Sequence, residues 1–428
     1  MSDVASNRRS RLVVATLLAP MLLVSPGWAA RSIQPASAAS AAAAVATWAE
    51  AWGRTPLSTT VKTATTSVQA TVPSQIRNET LRLIVWTTLG GTQVRVKLTN
   101  RFSTTPLAVS AAHVARRQSG GTIVAGTDRT LTFAGKASVT IAAGSEVWSD
   151  PVVLSVPQHT DLSISLYLPG TFRPTTFHPT GLKTSYLSAA GNFTGSATMP
   201  TPIGSATRTT TQVLFVSEVQ VLAPAQPETI VALGDSITDG ACSTSNANGS
   251  WPDLLSTRLP ALADGTPVSV VNAGIGSNRF FASDGAGLSG LHRLPDVLAL
   301  PAVRWLILLE GVNDISYEHA TAAQIIAAYQ DAISLAHAAS VRVAGVPILP
   351  IRHSTKDVGN NEATREAVNA WIRTGGAFDA VIDFEPVMAD PADPLSLRSN
   401  LTCDHVHPNQ AGYRAMANSI DLSLFSAP

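Results

Sequence analysis

Charge is scarce in this chain of 428 residues. Asp, Glu, Lys and Arg make up 14% of it, and 29 basic residues cancel 29 acidic ones. That balance assembles no basic face, which argues against nucleic acid as a partner. Beyond the N-terminus no segment is apolar enough to span a bilayer, so no stable membrane insertion is expected. Metal-ligand clusters are missing too. Asp404, His405 and His407 come closest, but no third well-spaced ligand group joins them, and neither metal nor cofactor is expected. Cysteine occurs only at Cys242 and Cys403.

What the chain does have begins with an export signal. Arg8, Arg9 and Arg11 form a positive region, and residues 12–24 form a largely apolar run interrupted by Pro20. Small residues at Gly27 and Ala29 suit cleavage near Ala29 or Ala30. Residues 1–30 therefore read as a signal peptide and 31–45 as a low-complexity linker. The mature protein is expected to be secreted or periplasmic. The stretch "NRRSRLV" has paired arginines but lacks the Phe usual in a twin-arginine signal, so the export route stays open.

Two organisations follow. From 46 to 222 the pattern alternates with period two, as in "TLRLIVWTTLG", "TQVRVKLTN", "DLSISLYLPG" and "TQVLFVSEVQVL". These runs are rich in Val, Ile, Thr and Leu and are punctuated by Gly, Pro, Asn and Asp. No amphipathic helix interrupts them, and the spacing predicts a β-sandwich or jelly roll. Trp48, Trp52, Trp86 and Trp148 sit in or beside these runs and read as core, not as a sugar-stacking stripe. The Pro-bearing stretch 223–228 is a linker, and the pattern then changes. "TIVALGD", "VSVVNAG", "RWLILLEG", "VRVAGVPIL" and "AVIDFE" are near-continuous apolar runs, as in strands buried on both faces. Helical patterns alternate with them, so 229–428 is expected to be a three-layer, doubly wound α/β domain with a parallel sheet.

Ligands of such sheets bind beyond the carboxyl ends of the strands, and the polar residues gather there. Ser236 follows the first strand in "VALGDSITDG", and Asn272 and Gly274 end the second in "VVNAGIGSN". Asn313 and Asp314 follow the third in "LLEGVNDI", and Asp404 and His407 lie in "CDHVHPN" before the last helix. These types suit acyl transfer. A serine hydroxyl needs a base, which His407 can supply, and the base needs an orienting acceptor, which Asp404 can supply from the same loop. The oxyanion needs preorganised donors. Candidates are the N–H of Ser236, the N–H of Gly274 and the side-chain amide of Asn313. Asp235 reads as structural, accepting backbone donors in its turn. His178 reads as a loop histidine packed where the two halves meet.

The ordered blocks "GDSITDG", "NAGIGSN", "GVNDI" and "DHVHP" resemble those of the SGNH hydrolases, also called GDSL esterases and lipases. The resemblance covers about the last 200 residues. It implies a flavodoxin-like fold, with Ser236 as nucleophile, Gly274 and Asn313 in the oxyanion hole, and Asp404 and His407 completing the catalytic set. The first half resembles the β-domain preceding the hydrolase in some secreted members. Together these imply a secreted serine esterase acting on short acyl groups, acetyl above all, of a small-molecule or polysaccharide ester. A lipase for longer chains, or a glycan-binding protein with a vestigial esterase, are the alternatives. If Ser236 and His407 meet, the loops carrying Cys242 and Cys403 also lie close, and export would preserve a disulfide between them.

Overall fold

The computed structural model describes residues 46–58, 73, 75–201, 208–281 and 288–426. The expected signal peptide and linker lie outside the described residues. Ala44–Pro428 form one compact unit.

The principal strands of the first half are Thr47–Gly53 (β1), Ile76–Thr87 (β2), Gly91–Thr99 (β3), Ala111–Ser119 (β4), Glu146–Trp148 (β5), Thr160–Phe172 (β6), Ser185–Ala190 (β7) and Val216–Ala223 (β8). Period two is visible in their burial. In β3, Val94, Val96 and Leu98 are buried, while Arg95 and Lys97 between them are half-buried. The order β1-β8-β3-β5 forms one antiparallel sheet and β7-β2-β6-β4 lies within a second. Val94, Val96, Leu98 and Val219 of the first share a core with Leu81, Leu83, Ile164 and Leu166 of the second. This is the expected sandwich. The run "TQVLFVSEVQVL" is not one strand. Phe215 takes φ +62° and turns the chain. Val213–Leu214 therefore pairs with Thr176–His178, and only β8 enters the first sheet.

In the second half, Glu228–Gly234 (β9), Val268–Gly274 (β10), Val303–Leu309 (β11), Arg342–Gly345 (β12) and Ala380–Val381 (β13) run parallel in the order β10-β9-β11-β12-β13. The helices are Ser236–Asp239 (α1), Trp251–Arg258 (α2), Gly290–Leu298 (α3), Val312–Tyr317 (α4), Ala322–Ala338 (α5), Asn361–Thr374 (α6) and Gln410–Ser419 (α7), with a short turn at Glu385–Met388 and another at Ser423–Ser426. Alternate residues of one strand face opposite layers. Val231 and Leu233 pack with Ile325, Tyr329 and Val368 of α5 and α6. Ile230 and Ala232 pack with Trp251, Leu255, Tyr413 and Met416 of α2 and α7. This is the three-layer, doubly wound α/β arrangement. The strand order reverses around β9, which puts the crevice of such a sheet at the carboxyl end of that strand.

Candidate active site

β9 ends at Gly234, where an added Cβ would lie 2.6 Å from the Leu309 carbonyl oxygen. Only glycine lets the chain turn there. Asp235 then caps α1 by accepting the Ile237 N–H at 2.9 Å, the structural part expected of it. Ser236, the first residue of α1, has its Oγ 2.8 Å from His407 Nε2. His407 Nδ1 lies 2.7 Å from Asp404 Oδ2. A carboxylate can only accept, so Nδ1 carries the proton and Nε2 is free to accept from the serine. The N–H groups of Val406 and His407 donate to Asp404 Oδ1 at 3.0 and 2.8 Å. Partial burial opposes the charge on Asp404. The bonds from the His407 ring and backbone and from the Val406 N–H outweigh it and hold the carboxyl well below its usual range.

Cys242 and Cys403 are joined in a disulfide with their Cα atoms 6.5 Å apart, as expected. It ties the segment after α1 to the residue before Asp404. The ligand atoms of Cys242, Cys403, Asp404 and His407 fall within 4.8 Å of one another, but the two sulfurs are bonded to each other and only the Asp–His pair is left.

Asn313, in the first turn of α4, donates from Nδ2 to the Asn278 carbonyl at 2.9 Å. Its Oδ1 accepts from Lys356 Nζ at 2.9 Å. The second Nδ2 hydrogen has no acceptor among the described residues. Gly274 does not fit the expected role of donor. Its N–H is taken by Asn272 Oδ1 at 2.9 Å, and a Cβ there would lie 2.2 Å from the Asp239 nitrogen. The glycine is required for α1 to pack on β10, not for access to a reacting atom. The exposed backbone comes three residues later. Ile275 and Asn278 close a tight turn through an N–H···O bond of 3.1 Å, and Ser277 inside it takes φ +62°. The N–H of Ser277 has no acceptor among the described residues, and the next carbonyl is the one that holds Asn313.

Several residues that brace this turn escaped the sequence reading. Asp239 Oδ2 accepts the Gly276 N–H at 3.0 Å, while its Oδ1 accepts from Arg54 at 3.0 Å and faces His178 Nε2 at 3.1 Å. Arg54 and His178 come from the first half, and His178 is fully buried where the halves meet. Arg293 donates to the Ala273 carbonyl at 2.7 Å and to Asn278 Oδ1 at 2.6 Å. Asp239 stands inside the quoted "GDSITDG", so its position was visible but its partners were not. Asp314 accepts the N–H groups of Phe280 and Phe281. Burial pushes Asp314 up to about 6 against those bonds. Burial likewise raises Asp235 to about 6, opposed by the Ile237 N–H, His407 and Lys356. Lys356 is lowered by burial, partly offset by Tyr317 and Asp235.

The fold and this constellation define an ester hydrolase of the SGNH type. Residues 232–415, within the α/β half, match the model of the GDSL-like lipase/acylhydrolase family, in keeping with a serine ester hydrolase of this type. Among solved structures it is similar to a G-D-S-L-family lipolytic protein of Desulfitobacterium hafniense (19% identity, 46% of this chain and 99% of that one, TM-score 0.35). The aryl esterase of M. smegmatis is similar at 18% identity, over 45% of this chain and 94% of that one, with TM-score 0.37. A carbohydrate acetylesterase family member of Sinorhizobium meliloti is similar at 16%, over 45% and 94%, also with TM-score 0.37. No curated protein matches the chain. Among the described residues no helix is long and apolar enough to cross a membrane.

Proposed function

We propose that the chain is an exported esterase that removes short acyl groups, acetyl above all, from carbohydrate or other hydroxyl-rich esters. The observation that carries the reading is the continuous relay from Ser236 through His407 to Asp404, with contacts of 2.8 and 2.7 Å. Ser236 Oγ attacks the ester carbonyl while His407 Nε2 takes its proton. The Oγ–C bond forms and the carbonyl π pair moves onto oxygen. That oxyanion is met by the N–H groups of Ser236 and Ser277 and by the Asn313 amide. His407 returns the proton to the leaving alcohol, and the acyl-enzyme forms. Water, deprotonated by His407, attacks the acyl carbon and releases the acid and the serine.

Polar side chains supply the case for a hydroxyl-rich substrate. Lys356 Nζ stands beside Asn313, and the His405 ring, next to Asp404, lies 6.3 Å from that of His353. Among the described residues His405 Nδ1 is buried without a hydrogen-bond partner. Export is supported by the N-terminal signal pattern and by the disulfide. A series of 4-nitrophenyl esters from C2 to C12, followed by acetylated xylan, tests the reading. Greatest kcat/KM at C2 to C4 with acetate released from xylan is expected. Preference for C8 or longer would point to a lipase, and no turnover of any ester to a binding protein.

A further inference from the structure

We propose that Lys356 is a positioning residue of the reaction, whose ammonium fixes the Asn313 amide and strengthens its remaining N–H as an oxyanion donor. Lys356 lies after β12 in the stretch "STKDVGNN", outside the four family-like blocks. Its side chain is nevertheless buried, at 8% exposure, and reaches back to α4. There Nζ donates to Asn313 Oδ1 at 2.9 Å and sits 3.5 Å from the centroid of the Tyr317 ring. Among the described residues this ammonium is in no ion pair. A buried cation without a carboxylate partner is costly to keep, and such groups cluster where charge is put to use.

The geometry assigns it that use. The two ends of an asparagine amide differ only in what they can bond to. An ammonium donates and never accepts, so Lys356 forces Oδ1 towards itself and Nδ2 away. Nδ2 then gives one hydrogen to the Asn278 carbonyl and keeps the other for the developing oxyanion. A positive charge on the carbonyl end also draws electron density through the amide and makes that N–H a better donor. The effect is largest when negative charge has formed, so it belongs to the transition state.

The inference rests on the reading of Asn313 as an oxyanion donor, and a double-mutant cycle on the full chain separates the two. Lys356→Met, Asn313→Ala and the double variant are assayed with 4-nitrophenyl acetate, and kcat is taken per serine titrated by a phosphonate. Lys356→Met is expected to lower kcat by about 10- to 100-fold with KM changed less than about twofold. In the Asn313→Ala background the same substitution is expected to change kcat by less than about threefold. Lys356→Gln, which keeps a donor without the charge, should fall between wild type and Met, and it serves alone if the Met variant does not fold. If Asn313→Ala leaves kcat intact, the reading of Asn313 fails. If Asn313→Ala lowers kcat but the Lys356 substitutions do not, the positioning role is overturned and Asn313 keeps its own. The role is equally overturned if Lys356→Met costs the same factor in both backgrounds.

Discussion

Each half of the molecule contains a fully buried arginine, and the two are used alike but to different ends. Arg82, on β2 of the sandwich, donates to the carbonyls of Gly121, Thr194 and Ser196 at 2.6, 3.2 and 2.8 Å. Arg293, on α3 of the α/β half, donates to the Ala273 carbonyl and to Asn278 Oδ1. Burial lowers the pKa of both, Arg293 to about 10. The Arg82 guanidinium pins loop carbonyls, and that of Arg293 ties the end of β10 to the turn that follows it. The Arg82 loops hold no member of the Ser236–His407–Asp404 relay. The Arg293 turn presents the N–H of Ser277, which has no acceptor among the described residues, and the carbonyl that holds Asn313. A buried charge therefore does not mark a site by itself, and what it holds still decides its meaning.

The sharpest way to break that contrast is to remove the group for which the turn is held. Ser236→Ala should fold normally and lose activity by roughly 10^3-fold or more, measured as kcat/KM on a short ester. Retention of a tenth of the activity would remove Ser236 from the chemistry.

The two halves also differ in covalent bracing, since both cysteines belong to the α/β half. The paired substitution Cys242→Ser/Cys403→Ser opens a cross-link spanning 161 residues. The chain-entropy model sets an upper figure of about 5 kcal/mol for a loop of that length. Urea unfolding should show the loss. Mild reduction of the wild type should lower activity before the β-sheet signal in circular dichroism changes, because the bond joins the loops of Ser236 and Asp404. Simultaneous loss of both would mean that the bond braces the whole fold.

The arginines give the direct comparison. Arg82→Met and Arg293→Met should each cost roughly 2–4 kcal/mol of stability through abandoned buried acceptors. Per titrated serine, only Arg293→Met should lower kcat, by about tenfold or more. Equal kcat for the two variants would show that the turn holds its shape without Arg293.

These residues also show what the sequence could and could not carry. β9 was legible in the run "TIVALGD" because a strand buried on both faces has to be apolar throughout. Ser236, Asn313, Asp404 and His407 stood out as candidates because acyl transfer needs those residue types, and the structure places Ser236, His407 and Asp404 in contact. Gly274 was misread because a glycine can serve close packing or open access, and the sequence does not distinguish them. The α1 backbone packed against it decides the matter. Lys356, Arg293, Arg54 and His178 were not assigned to the site because each acts through a partner distant in sequence. The break at Phe215 was hidden because an apolar residue with positive φ looks like any strand residue.

The smallest expected effect concerns pH. Asp314 is raised to about 6 in the folded chain, above about 3.9 for an unperturbed Asp. Between those values the folded state binds more protons than the unfolded one. This group's contribution is therefore fully favourable below about pH 4 and is lost as pH rises through about 6. Asn imitates the neutral acid. Asp314→Asn should flatten the fall in unfolding free energy between pH 4 and 6, measured by urea titration at several pH values. An unchanged slope would place that proton elsewhere, with Asp235 the next group to replace.

If Ser236 carries the acyl group, covalent labelling reads it directly. The full chain is treated with an organophosphonate that reacts with activated serines, digested, and mapped by mass spectrometry. One adduct per chain on Ser236 is predicted, lost in His407→Ala and absent in Ser236→Ala. An adduct on another residue, or none while ester turnover continues, would mean that Ser236 is not the nucleophile.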